Sequence, residues 1–193
     1  MESNRYSTTF KASPIIADKF VEDHVPIPGY QNAFFFGYDL GVGKFPEWLQ
    51  FPVVYRQYEG KRIYDIIETT YGPTFLISDY LLQLLEIEKL NGWSTYPIIL
   101  LDKKGNEISG YHGFCILGHG GDYKTPPEKP INMLTRADRM YDIRQWDGSD
   151  FFTIGGAFPC VSERAMKVLK PLVRWMYFTP IISTDFFTVV GIE

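Results

Sequence analysis

Phe75-Leu76-Ile77-Ser78-Asp79 returns 84 residues later as Pro159-Cys160-Val161-Ser162-Glu163. Each copy reads as a short apolar strand, then a Ser whose hydroxyl can accept a free N–H of a first helical turn, then an acid at the positive end of the helix dipole. Further along, Tyr96-Pro97-Ile98-Ile99 returns as Thr179-Pro180-Ile181-Ile182, with 19 residues from Ser to Pro in the first copy and 18 in the second. The repeat, near 74–101 and 158–182, therefore predicts strand, helix and strand twice over. The spacing places one helix start at Ser78 and the other at Ser162. Leu81, Leu82, Leu84, Leu85 and Ile87 give the first helix an apolar face, and Asn91-Gly92 supplies residues that tolerate a left-handed end. Pro171 shortens the second helix.

Outward from the repeat, Asn32 to Tyr38, Val53 to Tyr58 and Arg62 to Glu68 are rich in β-branched and aromatic residues and read as strands, with Glu59-Gly60 as a hairpin turn between the last two. Asp102-Lys103-Lys104-Gly105 turns the chain into a strand near Glu107 to Leu117, and Asp147-Gly148 precedes another at Phe151 to Ile154. Residues 118–130, with three Gly and three Pro, read as an irregular loop, and Asp185 to Gly191 as a weak final strand. No linker or like-charge block interrupts the chain. The expectation is one α+β domain over 1–193, mostly antiparallel or mixed sheet with two helices.

Composition narrows the function. The 193 residues are 45% hydrophobic and 17% aromatic, enough for a well-buried core. Lys plus Arg number 19 against 23 Asp plus Glu, a net charge of −4 that argues against binding nucleic acid. The whole excess lies in residues 1–100, which hold 12 acids and 8 bases, so a basic partner suits that half. Two cysteines are too few for a disulfide framework, the first 25 residues lack a signal-peptide core, and no apolar run approaches a membrane span. A cytoplasmic protein with no membrane partner is expected.

Motifs for chemistry are sparse. His112, Cys115, His119 and Asp122 are close in sequence, but on a strand His112 and Cys115 point to opposite faces, and no second pair completes a zinc spacing. Cys115 and Cys160 sit among apolar neighbours, where a thiol is a poor nucleophile. The stretch from Gly37 to Phe45 fails as a phosphate loop at Tyr38 and Phe45 and reads as a glycine-rich bend between strands. No cofactor and no metal is expected. Asp138, Asp142, Asp147 and Asp150, interleaved with Arg136, Arg139, Arg144, Tyr141 and Trp146, admit three readings: a solvated face, a protein-recognition surface, or a carboxylate pair for a small cytosolic hydrolase or transferase. On the recognition reading, partner contacts fall on Tyr141, Asp142, Trp146, Asp147 and Asp150, helped by Asp122 and Tyr123 and by the acidic edge at Glu47 and Trp48.

Ser78-Asp79 before a leucine-rich helix, Tyr96-Pro97-Ile98, a strand entering at Tyr111, and Asp147-Gly148-Ser149-Asp150-Phe151-Phe152 leading to Val161-Ser162-Glu163-Arg164 and Thr179-Pro180-Ile181 form a pattern over residues 70–185. It resembles immunity proteins of bacterial polymorphic toxin systems, in particular the eleventh numbered family. That resemblance implies a non-catalytic cytosolic protein that binds and neutralises a cognate toxin encoded beside it. It implies no catalytic residues.

Overall fold

The computed structural model describes residues 11–71, 74–124, 140–141, 143–155, 158–172, 181–182 and 188–189. The fold is α+β, and its contacts form two compact units: 1–88 with 94–115, and 89–93 with 116–193. The Ser78 cap of the repeat falls in the first and the Ser162 cap in the second.

The first unit runs β1 (Lys11–Pro14), α1 (Ile15–Glu22), α2 (Ala33–Gly41), β2 (Val53–Glu59), β3 (Ile66–Thr69), β4 (Phe75–Ser78), α3 (Asp79–Ile87), β5 (Trp93–Tyr96), β6 (Ile98–Leu101) and β7 (Tyr111–Ile116), the end residues Trp93 and Ile116 counting with the second unit. The strands form one mixed sheet in the order β5-β7-β4-β3-β1-β2-β6. Its two outer strands, β5 and β6, are separated in sequence by Pro97 alone, so the sheet must curl until its edges meet there. Tyr55 and Tyr96 lie inside, their hydroxyls 2.7 Å apart, so each buried phenol satisfies the other. Ala17, Ile27, Ala33, Phe36 and Leu40, from α1, α2 and the loop between them, complete this core with Ile67, Leu76, Leu100 and Cys115.

The second unit holds β8 (Gly118–His119), β9 (Tyr123–Lys124), β10 (Met140–Tyr141), a 3₁₀ turn at Ile143–Gln145, β11 (Phe151–Ile154), β12 (Phe158–Val161), α4 (Glu163–Leu169), β13 (Ile181–Ile182) and β14 (Thr188–Val189). Strands β12, β11 and β8 form a three-stranded sheet; β9 pairs with β10 and β13 with β14.

Both expected helix starts are present. Ser78 Oγ accepts the N–H of Leu81 and Ser162 Oγ that of Ala165, each at 3.1 Å. Pro171 follows the shorter helix, and β6, β11 and the Asp102–Gly105 turn sit where the sequence places them. Because Ser78 is a buried cap whose own hydroxyl hydrogen also goes to Asp65, Ser78→Ala should cost about 1 to 2 kcal/mol in a denaturant titration.

Several expectations are corrected, beginning with the two helices: the described residues hold four, because α1 and α2 precede the repeat. Asn32 to Tyr38 is helical, not extended: Asn32 Oδ1 accepts the Phe35 N–H and starts α2, overriding the β-propensity of three phenylalanines. The glycine-rich run that follows is helical as far as Gly41 and turns only at Val42-Gly43, and Gly37 permits close approach to Tyr71. Strands β2 and β3 are not a hairpin, because β1, unforeseen in the sequence, lies between them, antiparallel to β2 and parallel to β3. Helix α3 ends before Asn91-Gly92, with Lys89 at φ 51 taking the left-handed position, and Ile87 is 74% exposed rather than on the apolar face. Residues 118–119, placed in an irregular loop, form a strand parallel to β11. No helix among the described residues is long and apolar enough to cross a membrane.

Candidate functional site

The aspartate-rich stretch builds a polar centre in the second unit. Asp147 begins a tight turn: Oδ1 accepts the N–H of Ser149 at 2.9 Å and its hydroxyl at 2.5 Å, while Oδ2 accepts the His119 N–H at 2.7 Å. Gly148, at φ 84, lets the chain reverse. Trp146 packs over Phe152, ring centroids 5.5 Å apart, and donates its indole N–H to the Ser149 carbonyl at 3.0 Å.

The turn delivers Asp150 into the interior, where it is only 4% exposed. Oδ1 accepts the Ser162 hydroxyl at 2.6 Å and Arg164 Nε at 3.1 Å; Oδ2 accepts the Asn91 N–H at 3.0 Å and Arg164 Nη2. Asn91 answers by accepting the Asp150 N–H at 2.9 Å, and Arg164 donates onward to the Lys89 carbonyl at 3.0 Å. Burial alone would raise the Asp150 pKa, but the bonds from Arg164, Ser162 and Asn91 outweigh it and hold the carboxyl below its ordinary value. For Asp147 burial acts the same way, and the bonds from Ser149 and His119 again prevail. Outside this centre, Trp146, Gly148, Ser162, Glu163, Arg164 and Lys167 line a solvent-open depression of about 540 Å³.

The first unit contains the same construction. Ser78 donates its hydroxyl to Asp65 Oδ1 at 2.6 Å and its N–H to the Asp65 carbonyl at 2.9 Å, matching 2.6 and 2.8 Å for Ser162 and Asp150. Asp65 precedes β3 as Asp150 precedes β11, each hairpin leads to the Ser-capped helix, and each first strand carries a parallel neighbour, β1 or β8. The repeat thus begins 13 residues before Ser78 and 12 before Ser162, earlier than its Ser-acid core suggests.

The residues expected at a partner surface divide as follows. Asp150 is corrected from a surface acid to the interior anchor just described, since a carboxylate saturated by four donors has nothing left for a partner. Asp147 is exposed but holds its own turn. Trp146 is half-buried, with one part open at the depression. Asp122 is exposed, its N–H 3.0 Å from Gln145 Oε1, and Tyr123 and Tyr141 are register partners in β9 and β10. Asp142 and Asp138 lie outside the described residues. Glu47 and Trp48 belong to the first unit, where Glu47 is exposed and Trp48 stacks on Phe36 at 5.9 Å with its indole N–H on the Pro28 carbonyl.

Burial pushes the thiols of Cys115 and Cys160 up to about 12, and the Cys115 thiol donates to the Leu40 carbonyl. His112 points away from Cys115 and sits 2.6 Å from Asp79. Among the described residues no three His, Cys, Asp or Glu gather around a metal-sized space. Sequence reasoning missed Asn91 and Arg164 as partners of Asp150; the available signal was Asp followed by two bulky apolar residues in both Asp65-Ile66-Ile67 and Asp150-Phe151-Phe152. Comparison with models of known protein families and with curated proteins gives no match.

Proposed function

We propose that this protein is a non-catalytic immunity protein that binds a cognate toxin protein and neutralises it in the cytoplasm. The observation that supports the reading best is the use made of Val161-Ser162-Glu163-Arg164, the segment carrying the family resemblance. Ser162 and Arg164 close on Asp150 and fix the architecture, so neither the Ser162 hydroxyl nor the Asp150 carboxylate is free for nucleophilic or proton-transfer work. The described polar groups that a hydrolase would need at Asp147 and Asp150 are committed to structure. Recognition then falls to the surface, where the part-exposed Trp146 supplies an aromatic anchor.

A pulldown from the source cell tests this. One tightly held protein partner is expected, and a Trp146→Ala variant that keeps its fold should bind it at least about thirtyfold more weakly. Recovery of no protein partner, together with turnover of a small substrate, would transfer the chain to the enzymes. Unchanged affinity of the folded variant would move the interface away from Trp146.

A further inference from the structure

Beyond the serine, the carboxylates of the duplicated Asp-Ser centre differ in their partners: Asp150 takes the Asn91 N–H and a guanidinium, and Asp65 takes neither from the described residues. In the second unit the residue two past the serine is Arg164, and its guanidinium grips Asp150 through Nε and Nη2. In the first unit the same position is Tyr80, which is 58% exposed. The serine caps beside the substitution are alike. The caps share backbone geometry, φ −74 and ψ 159 at Ser78 against φ −67 and ψ 162 at Ser162, and the Ser-to-Asp bonds agree within 0.1 Å. Yet among the described residues no Lys or Arg bonds Asp65, and none donates a hydrogen bond to its Oδ2. Tyr111 lies close by, its hydroxyl donating to the Tyr64 carbonyl at 3.0 Å. Asp79, next to the cap in sequence, adds a second exposed carboxylate, facing His112.

Resting on the immunity reading above, we propose that Asp65 and Tyr80 form a socket for an arginine side chain of the basic toxin, which would supply from outside the guanidinium that Arg164 supplies from within. Arginine fits better than lysine. The planar fork can bond a carboxylate along two parallel lines and lie against an aromatic ring, and the sister copy already shows the carboxylate of this construction taking two guanidinium nitrogens. The half of the chain with the acidic excess is the half that carries the socket.

Two measurements decide it. Tyr80→Arg should rebuild the internal pair of the sister copy and raise the Tm by about 2 °C, a gain that disappears in Tyr80→Arg/Asp65→Asn. Asn at 65 can still accept the Ser78 hydroxyl, so that variant keeps the cap. Titrated with the purified toxin domain encoded beside this chain's gene, Asp65→Asn and Tyr80→Arg should each bind about tenfold or more weakly, and Tyr80→Phe within about twofold of the parent. No Tm gain in Tyr80→Arg, or parent-like toxin binding by Asp65→Asn and Tyr80→Arg, overturns the socket. Failure of the parent chain itself to bind the toxin would instead remove the immunity reading, and the socket's toxin partner with it, whatever the Tm shows.

Discussion

Asp150→Ala should be among the most damaging substitutions in the second unit, at about 3 kcal/mol in a denaturant titration followed through tryptophan fluorescence. The loss has three parts. The Asn91 N–H and the Ser162 hydroxyl lose their acceptor, and the helix cap loses the residue that orients it. Arg164, over half exposed, can turn to water, which is why the cost stays below that of a fully buried ion pair. The effect has a definite pH dependence. Because the folded-state pKa of Asp150 is depressed, the stability it contributes is fully present above the unfolded value of about 4 and fades as pH falls through the folded value. Wild type and Asp150→Ala should therefore converge in acid and differ most at neutral pH. A difference that grew on acidification would mean the carboxyl is neutral in the folded protein.

Gly92→Ala should cost a similar amount, about 3 kcal/mol, and its cause can be separated by two companion variants. Gly92 has φ 81, and a Cβ there would lie 2.6 Å from the Ser149 Cβ and closer still to the Phe151 carbonyl oxygen. Gly118 has an ordinary φ but meets the same wall, 2.6 Å from Ser149 Oγ and again against the Phe151 carbonyl. Gly148, at φ 84, has open space around it. Gly148→Ala thus pays for conformation alone, about 1 kcal/mol, and Gly118→Ala for crowding alone, about 2 kcal/mol. Gly92→Ala combines both. The ranking from thermal or urea unfolding checks whether the start of β11, next to Asp150, is held between two close backbone approaches.

These glycines and Asp150 show which features a single sequence reveals. Ser78 and Ser162 were legible because capping is a local rule: a hydroxyl, an acid and an apolar run within a few residues suffice. The Asp102–Gly105 turn and β11 were legible for the same reason. Helix α2 was not, since Phe34-Phe35-Phe36 satisfies the β-propensity scale, and only the Asn32 cap and the burial of Phe36 and Leu40 reveal the helical period. Strand β1 has just four residues and takes its identity from neighbours more than 40 positions away. Within the aspartate-rich stretch, Asp147 and Asp150 look alike in composition, and tertiary structure alone sends one to the surface and the other inside. Trp146 and Trp48 were read as contact residues from their type, and both turn out to have internal packing partners as well. The α+β class survived these local errors because the repeat fixed strand and helix order independently of them.

The proposed role stands or falls on one interaction. Isothermal titration of the purified chain into the toxin domain that the immunity reading expects beside its gene, paired with an assay of that toxin's activity, measures it directly. The immunity reading predicts a one-to-one complex with Kd below about 1 μM and loss of toxin activity at equimolar protein. Absence of binding, or full toxin activity in the presence of a saturating excess, would contradict it.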